Sequence, residues 1–106
     1  MLNVSWRPRA HLDRESIAIY WGLERGKPDV ALNILERIDT ALLFICEFPD
    51  SGGHCQIEKL AHNEYRTALA NPYTIYYRYD DTTLTIYRVL HQRQNFDTYS
   101  LIDLEQ

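Results

Sequence analysis

The sequence predicts an α+β domain: an N-terminal strand, an αα-hairpin packed on an antiparallel sheet in the order β-α-α-β-β-β, and a C-terminal tail. Three observations predict it. Apolar residues recur at helical period from Ala31 to Ile45. Residues 65–90 turn to β-branched and tyrosine-rich runs, cut by Asn71-Pro72 and Asp80-Asp81. The chain has 106 residues, the common size of one compact domain, so 1–106 is read as a single unit.

Leu2, Val4 and Trp6 alternate with Asn3 and Ser5, the pattern of a short half-buried strand, which Pro8 ends. From Ala10 the spacing changes. Ala10, Ile17, Tyr20 and Trp21, with charges between them, predict a helix of about four turns. Gly22, Gly26 and Pro28 mark a break, Gly26 suiting a helix end and Pro28 a first helical position. In the second helix Ala31, Ile34, Leu35, Ile38, Leu42 and Ile45 form one stripe, with Glu36, Arg37 and Asp39 opposite. The short link between the helices predicts an antiparallel hairpin. Phe48 to Gly53, FPDSGG, closes the second helix and opens a loop.

Residues 54–64 carry no clear period. YRTALA, YTIYYRY and TTLTIYRVL then follow as three strands joined by tight turns. In the middle strand Tyr73, Ile75, Tyr77 and Tyr79 share one face, and Thr74, Tyr76 and Arg78 the other. In the last strand Leu84 and Ile86 fall together before Arg88 interrupts their face. Either the strand bulges near Val89 or Arg88 is turned inward. The tail, 94–106, holds Phe96, Tyr99, Leu101, Ile102 and Leu104, enough apolar surface to dock.

Charge narrows the function. Eleven basic against fifteen acidic residues leave a net charge of −4. Affinity for nucleic acid comes largely from Lys and Arg displacing counterions, so strong direct nucleic-acid binding is not expected. Only the stretch 54–93 is marginally basic, and the tail is acidic with no base. The N-terminus lacks the apolar core of a signal peptide, and no stretch approaches a membrane span. Cys46 and Cys55 are too few for a disulfide framework, so a reduced, cytoplasmic protein is expected.

The order of elements, with several residues, resembles the RelE/ParE superfamily of toxins from bacterial type II toxin–antitoxin operons. Ala10, Asp13, Ile17, Tyr20 and Trp21 are similar to its first-helix pattern, and FPDSGG to its Pro-containing turn before the sheet. Tyr65-Arg66, the stretch Tyr73 to Tyr77, and Ile86 to Gln94 follow in the family's order. The ending Arg88-Val89-Leu90-His91, with Arg93 after it, is closer to ParE-like members. The chain departs from the pattern at Arg14, where an apolar residue is usual, at His54, near a usual Gly-Arg pair, and in its acidic tail.

The superfamily implies two activities on one fold. RelE-like members cut mRNA in the ribosomal A site, and ParE-like members poison DNA gyrase. Cutting RNA without a metal needs a base for the 2′-hydroxyl, cations for the phosphate and an acid for the leaving oxygen. Lys59, Arg66, Arg78, Tyr87, Arg88, His91 and Arg93 are the candidates. Arg66, Arg78 and Arg88 fall on three strands, so register decides whether they converge. Only Lys27 and Lys59 are lysines, too few to hold a message backbone.

The expectation is therefore a ParE-like gyrase inhibitor with no catalytic residues and no cofactor, paired with a ParD-like antitoxin as a hetero-oligomer. Arg66, Tyr76, Tyr87, Arg88, His91 and Arg93 are its expected partner-binding residues. An mRNA endonuclease and a non-toxic antitoxin-binding homologue are the alternatives. His54, Cys55, Glu58 and His62 fit no standard zinc spacing, and no metal is expected. Cys46 continues the second helix's inner side as a small core residue. Trp21 suits either a partner anchor or core packing. Arg66, a charge amid YRTALA, suits either a functional role or a structural salt bridge.

Overall fold

A computed structural model describes residues 1–54 and 64–92. Cys55, Glu58, Lys59, His62, Arg93 and the acidic tail lie outside the described residues.

Strand β1 (Asn3–Trp6) leads into helix α1 (Pro8–Ile19), which continues as a π-helical turn over Tyr20–Glu24. Pro8 does more than end the strand. It occupies the first helical turn, where its missing N–H is no loss and its fixed φ suits the helix. Gly26 has φ +64°, a left-handed position that stops the chain before Pro28 opens α2 (Pro28–Glu47). A short 3₁₀ turn, Pro49–Ser51, precedes β2 (Gly53–His54), followed by β3 (Arg66–Ala70), β4 (Tyr73–Tyr79) and β5 (Thr83–His91).

The expected α+β architecture is present. Strands β2 to β5 pair antiparallel in sequence order, and β1 lies on the far side of β5. The pairing of β1 adds what local pattern cannot: it runs parallel to β5, from Asn3 opposite Thr83 to Trp6 opposite Ile86. Thus the sheet is mixed, with its one parallel pair at an edge.

The helices cover one face. Ile34, Ile38, Leu42, Ile45 and Cys46 of α2, with Ala10 and Ile17 of α1, pack on Tyr73, Ile75, Tyr77, Leu84, Ile86 and Val89. The predicted α2 stripe is this buried face, with Leu35 at its margin. Cys46 is buried as expected, and that burial pushes its thiol pKa up. The family departure at Arg14 finds a local solution. Its guanidinium joins α1 to α2 through Asp39 at 2.9 Å and stands over the Trp6 ring.

The last strand bulges, though not at Val89. Tyr76 pairs with Arg88 and Tyr77 with Ile86, so Tyr87 is the extra residue. That insertion restores phase: Leu84, Ile86 and Val89 all reach the core, as an uninterrupted alternation could not.

Candidate functional site

Of the six expected binding residues, the five described ones do not form one cluster. Arg66 points to the loop after α2, where Nη1 donates to the Gly52 carbonyl at 2.9 Å and Nη2 lies 3.7 Å from Asp50. The same loop is held by Tyr77, whose hydroxyl donates to the Pro49 carbonyl at 3.1 Å, and by Tyr79, which bonds Asp50. Gly52 is required for that approach, because a Cβ there would run into the Tyr77 hydroxyl. Burial raises the Tyr77 pKa, and the Asp50 carboxylate raises that of Tyr79.

Arg88 is committed elsewhere. It is only 8% exposed. Its Nε and Nη2 donate to the two oxygens of Asp13 at 2.7 and 3.0 Å, a bidentate pair. The Val89 N–H donates to the same carboxylate at 3.0 Å, so Asp13 also satisfies a backbone group of β5. Of the two readings at Arg88, inward placement and a bulge, both hold.

Tyr76 and Tyr87 lie near the bulge, Tyr76 opposite Arg88 and also opposite Thr67 of β3. Tyr87 meets Tyr65 edge-on at 5.0 Å, and Arg7 stands over its ring. Arg78 stands over the Tyr65 ring at 5.2 Å. A hollow of about 200 Å³ runs along Arg78, Tyr79, Asp80, Thr85 and Tyr87. It brings one arginine and one carboxylate together. Asp80 accepts from the Thr82 and Thr83 N–H groups, which hold its carboxyl below the usual range and keep it anionic. That carboxylate disfavours a phosphate.

His91 ends β5, edge-on to Tyr73 at 5.3 Å. Trp21 resolves as a half-buried residue whose Nε1 donates to the Tyr73 hydroxyl at 3.1 Å. Sequence reading missed Asp13 as the partner of Arg88. Its signal was present: Asp13 stands three residues after Ala10 and four before Ile17, which puts a carboxylate on the buried side of α1.

A groove of about 1030 Å³ lies between α2 and β3. Phe44 and Leu69, 55% and 60% exposed, give it apolar walls, and Glu36 and Arg37 a charged rim. Among the described residues β2 pairs with Arg66 and Thr67, and Ala68 to Ala70 border the groove beyond that pairing. Among the described residues no three His, Cys, Asp or Glu side chains come together as metal ligands. None of the described helices is long and apolar enough to cross a membrane.

Residues 4–96 match the family described as the ParE toxin of type II toxin–antitoxin system, parDE. No curated protein matches the chain. Among solved structures, a chain titled "Chromosomal ParDE TA system from P. aeruginosa" is similar in fold. It shares 18% identity at a TM-score of 0.69, over 86% of this chain and 96% of that one.

Proposed function

The chain belongs to the ParE toxin family of type II toxin–antitoxin systems, and from that premise we propose that it acts by gripping DNA gyrase, with a cognate antitoxin to neutralise it. One observation supports binding over RNA cleavage. Arg66, Arg78 and Arg88 are each engaged with a different part of the molecule: the Gly52 carbonyl, the Tyr65 ring and the Asp13 carboxylate. Cleavage needs cations preorganised around one phosphate, and the contacts described for these three lead to three separate places.

Tyr76, Tyr87, His91 and Arg93 are the proposed contacts with the target, rich in the aromatic and arginine side chains that anchor protein interfaces. Arg66 and Arg88 support that surface by fixing the loop and strand around it. The groove between α2 and β3 is the proposed seat of a ParD-like antitoxin segment, because it offers exposed apolar walls beside a strand edge.

The test runs two assays on one preparation: supercoiling by purified gyrase, and the integrity of ribosome-bound mRNA. The expected outcome is lost supercoiling or accumulated cleaved gyrase–DNA complex, with the message whole. Active gyrase and a cut message would overturn the proposal.

A further inference from the structure

Beside the end of α1 lies a second concavity, of about 470 Å³, which shares only His91 with the contacts proposed above. Its walls are Tyr20 and Trp21 from the helix and Tyr73 and His91 from β4 and β5, with Asp13 at one side. Tyr20 and Trp21 meet edge-on at 5.2 Å. Both start the π-helical turn, where the Arg25 N–H reaches back to the Tyr20 carbonyl at 2.8 Å. Such turns are rare and recur at functional sites.

The chemistry of the walls is one-sided. The indole N–H of Trp21 is taken by the Tyr73 hydroxyl, so the ring's remaining offer is its electron-rich face. Asp13 accepts three bonds from Arg88 and Val89 and has lone-pair capacity left. No lysine or arginine lines the space among the described residues. Three aromatic rings attract a cation through their quadrupoles, and Asp13, its charge already balanced by Arg88, offers it one further hydrogen-bond acceptor. The chain as a whole is also acidic, at −4.

We infer that this pocket is an anchor site for one basic side chain, Lys or Arg, of a protein partner. It rests on the reading of the chain as a protein-binding toxin, and it adds a specific contact to that reading. Tyr20, 42% exposed, forms the open rim and is the residue to remove without disturbing the core.

The test uses the full chain, with N-acetyl-arginine amide and N-acetyl-lysine amide as probes. N-acetyl-citrulline amide serves as the neutral isostere. Binding is followed through the Trp21 indole N–H and the His91 ring in NMR spectra, with Trp6 as the internal control for folding. The two cations are expected to shift Trp21 and His91, and citrulline to bind about two- to fivefold more weakly. Tyr20→Ala should weaken the cations by a similar factor and leave Trp6 unmoved. Equal response to citrulline, or no response to the cations up to their solubility limit, would overturn the inference. Spermidine binding more tightly than a short basic peptide would also overturn it, by reassigning the pocket to a free polyamine. Bound cations with gyrase unaffected would sink the gyrase reading alone. Poisoned gyrase with a silent pocket would sink this one alone.

Discussion

Arg66 and Arg88 stand on either side of β4 and carry the same charge, yet they hold the molecule together by different physics. Arg66 is partly buried, its side chain 19% exposed. It reaches a backbone carbonyl and a carboxylate, that of Asp50, whose side chain is 81% exposed. Arg88 is buried against a largely covered partner in a two-point bond. Water screens the first pair and cannot replace the second. A charged residue in a strand is therefore no sign of chemistry by itself; its depth and its partner decide what it does.

The sharpest way to break that comparison is to remove one member of the buried pair. Asp13→Ala leaves a buried guanidinium unpaired and the Val89 N–H without its acceptor, a loss expected near 3–5 kcal/mol. Urea denaturation measures it. A drop below about 1 kcal/mol would place Arg88 in the same screened class as Arg66.

Next in size is the loop that Arg66 holds. Gly52→Ala drives a methyl into the Tyr77 hydroxyl and the Thr67 carbonyl, which lies 2.9 Å from the ideal Cβ. The overpacking is expected to cost about 1–3 kcal/mol. Adding Tyr77→Phe should return part of it by removing the closest atom, and a thermal melt of both variants reads the difference.

Arg66→Met, by contrast, should cost only about 1 kcal/mol. It loses one charge-assisted bond to a carbonyl, while the aliphatic stem still packs and the Asp50 pair contributes little.

The smallest effect is in acid. The folded pKa of Asp80 lies below its ordinary value of 3.8. The stability it contributes is therefore complete above that value and fades as pH falls through the lower folded one. Asp80→Asn should flatten this part of the stability–pH curve. In alkali the raised pKa values of Tyr77 and Tyr79 act the other way. Their contribution is complete below about pH 10 and is lost as pH climbs through the folded values.

Much of the fold was legible in the sequence, because α2 writes its buried face as one stripe and β4 writes its own as strict alternation. The parallel partner of β1 was not, since a pairing across the whole chain leaves no local trace. The bulge was half legible. Leu84, Ile86 and Val89 cannot share a face without one extra residue between them, but that phase break does not say whether Tyr87 or Arg88 is inserted. The site was least legible. Arg66 and Arg88 read as donors for a partner until Gly52, Asp50 and Asp13 came into view, and each of these is distant in sequence. A lone arginine shows that a partner exists and not where it sits.

The central claim is that the toxin works by occupancy, one molecule held to one target, and the direct measurement is a count. Toxin is titrated against a fixed amount of purified gyrase on DNA, and the cleaved complexes formed per toxin molecule are determined, with ribosome-bound message cut per molecule as the parallel count. The first count is expected to saturate near one per molecule and the second to stay at zero. Many messages cut by each toxin molecule, with gyrase untouched, would contradict it.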